Sequence, residues 1–472
     1  MNTLVMKFGG TSVGSVEAIN QTADIILDCG KEWKRLVVVV SAMNGVTDAL
    51  IDSAQTAVSS DDESAFRAII ADLHAKHHDT IEALLPEGDD RQQLLSTVNG
   101  LMDELEALCH SIHILGEITP RAMDTITSMG ERMSARIVAA VLRHKEAKSQ
   151  AIDATQLIIT DDKYQNAAPL MEKTLARIQE RLVPLLDDGV IPIVTGFIGA
   201  TEEDVTTTLG RGGTDYSAAI LGSCLDANEV WNWKEVDGVL TTDPRIVPDA
   251  QVIPELSYSE MGELSYFGAK VLHPKTVLPL IQHNIPLRVK NTFNPTYPGT
   301  RIVREAADEA RGKIKAVTAI KGMSMVIVEG RGMIGVPGIA ARTFSTVAGQ
   351  GANVLMIIQA SSEQSICFLI PTQNVSAVIQ ALEEEMEREL ARRDIDRISS
   401  RDNVVIVTAV GAGLRDTPGI SAKVFGALGQ ADINVVAIAQ GSSECGLSLV
   451  VAADDAVNAV RQIHSEVIVN GG

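Results

Sequence analysis

Three glycine-rich turns carry the residues whose types and spacing could do chemistry: "KFGGTSVG" (7–14), "SAMNGVTDAL" (41–50) and "TTLGRGGTDYSA" (207–218). Each follows a candidate strand or opens a candidate helix. Glycine lets the backbone approach a phosphate and aim N–H groups at it, and a helix N-terminus adds its dipole. Lys7 would supply a mobile positive charge, and Arg211 and Asp215 stand in the third turn. None of the three turns is a Walker loop, G-x-x-x-x-G-K-[ST], or the dinucleotide pattern G-x-G-x-x-G. One glycine pair alone would read as a tight turn. Three such turns together with Lys7, Arg211 and Asp215 point to phosphoryl transfer without a covalent protein intermediate, working by positioning and by charge neutralisation from lysine and Mg²⁺.

Those turns need a sheet to hold them. "TLVMKFGG" and "RLVVVVSAM" read as short buried strands flanking a helix over 16–27. "VIPIVTGFIG" and "EVWNWKEV" read as further strands, and 214–222 and 259–272 as helices. The alternation predicts an α/β layer fold around a mostly parallel sheet over the first ~300 residues, with ligands beyond the carboxyl ends of the strands. Between 61 and 115 the sequence turns polar and helix-forming, which predicts a helical insertion. His74 and His78 within it have i, i+4 spacing, but without a carboxylate arrangement such as H-E-x-x-H they read as a solvated helix face.

After a charged stretch, "REAADEARGK", the chain repeats itself without gaps: Pro337, Phe344, Asn353, Gln359 and Ser361-Ser362-Glu363 recur as Pro418, Phe425, Asn434, Gln440 and Ser442-Ser443-Glu444. Each copy reads strand, Pro-Gly turn, helix, strand, polar turn, strand, helix, a small α+β module. The Gln-x-Ser-Ser-Glu turn either closes a hairpin in a dimerisation module or offers uncharged donors and acceptors to a zwitterionic amino acid; the matching Asn and Gln favour the second.

With 472 residues, two to four domains are expected at roughly 100–200 residues each. A net charge of −21 disfavours nucleic acid and anionic membranes as partners, so an anionic substrate would need a local basic pocket. The apolar runs are far shorter than the ~20 residues of a membrane span, and the five cysteines are scattered, which reads as a soluble, cytoplasmic protein without a disulfide framework or zinc site.

The set "VMKFGGTSVG", "VVVVSAM", "TGFIG…TTLGRGGTDYSA", "VDGV…TTDPR", "FGAKVLHP" and the tandem tail resembles the aspartate kinase family over essentially the whole chain. The resemblance implies the amino acid kinase fold (three layers around a mostly parallel sheet) with a helical insertion, plus two ferredoxin-like α+β ACT modules. It implies a catalytic domain over 1–304, a linker over 305–313, a first module over 321–402, and a second built from 314–320 and 403–472. It assigns Lys7 to the transferring phosphoryl group with Gly9 and Gly10 beside it, and Asp215 to organising that site. Ser41, Thr47 and Thr214 become aspartate-contacting hydroxyls, Glu131 the ligand of the substrate ammonium, and Arg211 the clamp on its α-carboxylate. On the nucleotide side it points to Lys234, Glu235, Leu240, Arg245, Lys270 and Val271, with Lys234-Glu235 standing where the family has Thr-Asp, Leu240 where tyrosine is common and Thr214 in place of serine. Effector contacts fall on Ile339, Asn353, Gln359 and Ser361, and on Ile420, Asn434, Gln440 and Ser442. The implied reaction is ATP and L-aspartate to ADP and 4-phospho-L-aspartate with Mg²⁺ on the phosphates, in a homodimer or larger assembly inhibited by an end product such as lysine or threonine. An amino-acid sensor with impaired kinase activity and a different amino acid kinase are the alternatives. Trp231 and Trp233, just ahead of Lys234, read mainly as burial of a central strand.

Overall fold

A computed structural model of the chain describes residues 2–268, 272, 274–305, 311–333, 336–359, 364–440 and 444–469. Two compact units emerge, one formed by Met1–Val239, Val252–Tyr258 and Val271–Glu305, the other by Leu240–Gln251, Ser259–Lys270 and Ala306–Gly472. The segments containing Leu240 and Arg245 thus pack within the second unit.

The first unit is built on strands β1 (Thr3–Phe8), β2 (Arg35–Val40), β3 (Ser149–Ile152), β4 (Ile191–Thr195), β7 (Glu229–Lys234), β8 (Glu255–Ser257), β9 (Leu287–Asn291) and β10 (Thr300–Val303), in the order β3-β4-β2-β1-β7-β9-β10-β8. Every pair is parallel except β9 with β10. Continuous apolar runs suit this sheet, because helices cover both faces: all six residues of β1 are buried. Helix α1 (Val16–Glu32) is capped by the Ser15 side chain, which accepts from the Ala18 N–H. The helical insertion is an α-hairpin, α3 (Glu63–Leu84) and α4 (Asp89–Leu115), following α2 (Val46–Ser59) and packing with α5 (Pro120–His144) into the same core.

One predicted strand is in fact two. "VIPIVTGFIG" breaks at Gly196-Phe197, where Phe197 takes φ 67°, so β4 stays in the main sheet while β5 (Ile198–Ala200) pairs with β6 (Thr206–Thr208) in a separate hairpin. The tryptophans are core. Trp233 is 1% exposed and stacked on Phe8, and Trp231 meets Trp33 and Trp233 edge to face.

The second unit carries an antiparallel sheet of β11 (Ala316–Glu329), β12 (Met356–Gln359), β13 (Ser365–Pro371), β14 (Arg397–Val410), β15 (Ala437–Ala439) and β16 (Gly446–Ala452), in the order β12-β13-β11-β14-β16-β15. The two 14-residue strands β11 and β14 serve both repeats. Met323–Glu329 of β11 pairs with β13, whereas Ala316–Ile320 pairs with Ile406–Val410 of β14, whose other side carries β16. Helices α6 (Ile339–Gly349) and α7 (Ile420–Gln430) sit in matching cores, with Ile339, Val347 and Phe368 in one and Ile420, Val424 and Leu449 in the other. The repeat is thus physical, each copy burying one helix-covered patch of a shared sheet.

Candidate active site

β1 delivers Lys7 to the carboxyl edge of the main sheet, and the chain then turns through Gly9 into a short 3₁₀ segment, Gly10–Val13. A Cβ on Gly10 would stand 3.1 Å from the Ala42 carbonyl oxygen, so glycine lets the first two turns close on each other. The third turn opens the helix Gly213–Cys224 after Gly212, at φ 75°; the turn before α2 uses Gly45 at φ 78° in the same way. Neither helix has a side-chain cap, which leaves first-turn N–H groups for another acceptor.

The Lys7 Nζ lies 2.6 Å from Asp215 Oδ1, with both side chains nearly buried. Asn232 sits beside Lys7 in the β1–β7 register and donates from Nδ2 to the same oxygen at 3.2 Å. Burial works to push the Asp215 carboxyl up, but Lys7, then Lys234, and hydrogen bonds from Lys7 and Asn232 outweigh it and hold the group below its ordinary value. This is an ionised carboxylate fixing an ammonium in place.

The pair forms part of a cavity of about 660 Å³, lined also by Gly10, Ser41, Thr47, Glu131, Arg211 and Thr214. The three turns predicted from sequence thus converge. Ser41 Oγ donates to Thr214 Oγ1 at 3.0 Å, and Gly196 makes room for that threonine: a Cβ there would fall 2.3 Å from Thr214 Cγ2. Arg211 is exposed and has no ion pair among the described residues. Glu131 is the opposite case, 3% exposed on α5, with Oε2 buried and without a hydrogen-bond partner. Burial pushes its carboxyl up to about 8, offset only in part by backbone N–H groups, that of Ala42 foremost. A buried acid with an orphaned oxygen on a cavity wall fits a cationic ligand group.

Sequence reasoning missed several residues that shape this cavity. Asp124 accepts from the Gln165 N–H, the Thr208 N–H and the Thr208 hydroxyl (2.7 Å), tying a loop and strand β6 to α5; burial raises its carboxyl. Gly130 lets α5 approach, since a Cβ would stand 2.7 Å from that of Ala42. Asn232 had one signal, a polar side chain inside the apolar run "VWNW".

Other predicted residues fall elsewhere. Gly9 does not line the cavity, though a Cβ on it would lie 3.5 Å from Lys7 Nζ. Lys234 ends β7, half-buried, and Glu235 is exposed. Leu240 is half-buried, and Arg245 is highly exposed and paired with Asp243 at 2.7 Å. Lys270, Val271, Ser361 and Ser442 lie outside the described residues. In the first repeat Ile339 and Gln359 share a cavity of about 310 Å³ with Pro337 and Gly338, whereas Asn353 is exposed and not among its lining residues. In the second, Ile420 is buried just after Gly419, while Asn434 and Gln440 are exposed.

His74 bonds to Asn99 at 2.8 Å and stacks on His78. Burial raises the thiols of all five cysteines, Cys29 to about 12 and Cys445 to about 11, the direction that disfavours the thiolate. Among the described residues no helix is long and apolar enough to cross a membrane.

Residues 2–291 match the amino acid kinase family, and 326–386 and 407–467 each match an ACT domain. The chain is 39% identical over 466 residues to bifunctional aspartokinase/homoserine dehydrogenase 1 of Arabidopsis thaliana, covering 98% of this chain and 50% of that protein. It is 34% identical to aspartokinase 3 of the same plant, covering 98% and 81%. The chain therefore spans about half the length of the bifunctional relatives that it matches. Among solved structures it resembles Escherichia coli aspartokinase III in complex with aspartate and ADP, with a TM-score of 0.80, 28% identity, and coverage of 99% of this chain and 100% of that one. Clostridium acetobutylicum aspartate kinase gives a TM-score of 0.82 at 25% identity, covering 98% and 100%.

Proposed function

This chain belongs to the aspartate kinases of the amino acid kinase family, and from that premise we propose that it transfers the γ-phosphoryl group of ATP to the side-chain carboxylate of L-aspartate. The observation that carries this reading is the cavity itself, in which the Lys7–Asp215 pair, the orphaned Glu131 oxygen and the unpaired Arg211 face one space. Aspartate presents one group to each: its ammonium to Glu131, its α-carboxylate to Arg211, and its β-carboxylate to the Lys7 end. No general base is required, because that carboxylate is already ionised at neutral pH. A carboxylate oxygen forms the new bond to the γ-phosphorus while the bond to the β–γ bridging oxygen breaks. The electron pair leaves on ADP, and Lys7 stabilises the charge on the transferring group.

Among the described residues no group of three or more His, Cys, Asp or Glu is placed to hold a metal ion. Mg²⁺ enters in this reading as part of the MgATP substrate. Gly9 and Gly10 lie beside the phosphoryl position, with Lys234, Glu235, Leu240, Arg245, Lys270 and Val271 assigned to the nucleotide. The paired ACT modules support regulation by an amino acid. Lysine or threonine is the proposed class, bound near Ile339 and Gln359 and near Ile420 and Gln440, in a homodimer or larger assembly. A related structure is E. coli aspartokinase III in complex with lysine and aspartate. Catalytic (1–304), linker (305–313) and module (321–402; 314–320 with 403–472) boundaries complete the proposal.

Release of ADP measured with aspartate, glutamate and N-acetylglutamate in turn tests substrate choice. Aspartate should be preferred by at least about 100-fold, the scale set by leaving buried polar groups unpaired. Faster turnover of either other acid would assign a different amino acid kinase.

A further inference from the structure

Lys234 is the residue of this centre that the cavity lining leaves unexplained. It ends β7 two residues after Asn232, so strand alternation puts both side chains on one face of the sheet. Asn232 is the register partner of Lys7 and donates to Asp215, which places Lys7, Asp215, Asn232 and Lys234 in one group at the carboxyl edge. The backbone agrees, since a Cβ on Gly9 would lie 3.5 Å from Lys7 Nζ and 3.9 Å from the Trp233 carbonyl oxygen, immediately before Lys234.

The charges at this edge do not cancel. Asp215 is one carboxylate facing two ammoniums, and the hydrogen bond and the close ion pair both go to Lys7. Among the described residues the Lys234 ammonium has neither a hydrogen bond nor an ion pair within 4.0 Å; its backbone carbonyl accepts from the Thr292 N–H. Burial pulls its ammonium down; Asp215 opposes this, Lys7 adds to it, and Glu235 opposes it more weakly. A half-buried cation without a close counter-ion is costly to hold and brings no structural return of its own. In a chain of net charge −21, it is the kind of local excess that anion binding requires.

We propose that Lys234 is a second phosphate-binding lysine, placed on the Lys7 face of the sheet to receive the terminal phosphates of a nucleoside triphosphate. The inference rests on the kinase reading above. Lys7, held by Asp215, serves the transferring group, and Lys234, unpaired, neutralises the polyphosphate beside it. The neighbouring Glu235 is exposed and is left for the nucleoside or for solvent.

Amine acetylation of the wild-type chain, read by mass spectrometry, tests this without altering the fold. MgATP at about ten times its Kd should slow modification of Lys234 roughly tenfold, while adenosine and aspartate should not. Lys234→Gln should lower kcat/KM for ATP by about 10- to 100-fold, the scale of one lost charge-assisted contact, while KM for aspartate changes less than about twofold; Lys234→Arg should recover most of the loss. Absence of ATP protection overturns the proposal. So does a Lys234→Gln enzyme that keeps its kcat/KM for ATP, or one that loses ATP and aspartate equally. If Lys234→Gln does not fold, the wild-type footprint decides. Protection by ATP in a chain that makes no acyl phosphate would overturn the kinase reading and leave this one standing; acyl phosphate without protection would do the reverse.

Discussion

The cavity at Lys7 and the cavity at Gln359 both have polar side chains on their walls, and they present them in opposite ways. At Lys7 the charges are buried and held in advance: Asp215 is fixed by Lys7 and Asn232, and Glu131 is sealed in α5 with one oxygen unused. At Gln359 the polar side chain is neutral and exposed, against an apolar wall of Met333, Ile339 and Ile366. The first arrangement suits charge development in a transition state, where donors must not reorganise. The second suits reversible binding, in which occupancy changes with ligand concentration and only differential affinity between two states matters.

The comparison breaks most sharply at Lys7. Lys7→Ala should lower kcat by about 1,000-fold or more, and it leaves Asp215 buried without its cation, so thermal unfolding should move to lower temperature as well. A variant with near-normal kcat would place the phosphoryl chemistry elsewhere. Arg211 is exposed and unpaired, so Arg211→Ala should spare the fold and raise KM for aspartate by about 10- to 100-fold, with KM for ATP within about threefold. Equal effects on both constants would contradict its role as a clamp.

Glu131 yields a pH signature. With its carboxyl pushed up to about 8, the free enzyme holds it mostly neutral at pH 7, and the substrate ammonium requires it ionised. Affinity for aspartate should therefore improve up to about tenfold per pH unit toward pH 8 and then level off, a dependence that Glu131→Gln should abolish. The linkage to stability has the opposite sign: protonated Glu131 favours the folded state, so its contribution is full below pH 4.5 and is lost as pH rises through about 8. A flat pH profile of KM for aspartate would mean that Glu131 does not meet the ammonium. The smallest effects belong to the exposed glutamines, Gln359 and Gln440. Gln359→Ala or Gln440→Ala should weaken inhibition by about 3- to 10-fold, one neutral hydrogen bond's worth, with uninhibited kcat within about twofold. Unchanged inhibition curves in both variants would remove those glutamines from effector binding.

What the sequence made legible follows the same divide. Glycine turns and charged residues at strand ends are local features, so Lys7, Arg211 and Asp215 could be picked out before any fold was known. The repeat was equally plain, because each copy spells the same helix-covered patch. Long-range placement was not legible. Nothing local shows that Asp124 binds the Gln165 and Thr208 backbones, or that Gly130 and Gly196 leave room for Ala42 and Thr214. The break at Gly196-Phe197 was hidden because the run stays apolar across it, and only the left-handed φ of Phe197 marks where the chain leaves the sheet. The resemblance puts Lys234 on the nucleotide side, but its place beside Lys7 and Asp215 comes from a register with β1 that no single strand records.

Trapping the product tests the central claim most directly. With MgATP and L-aspartate, the wild-type chain in hydroxylamine should form aspartyl hydroxamate in step with ADP release, and Lys7→Ala should form almost none. If the wild-type protein yields no more hydroxamate than Lys7→Ala while lysine or threonine still binds, the chain is an amino-acid sensor, and the account of its cavity as a kinase site is wrong.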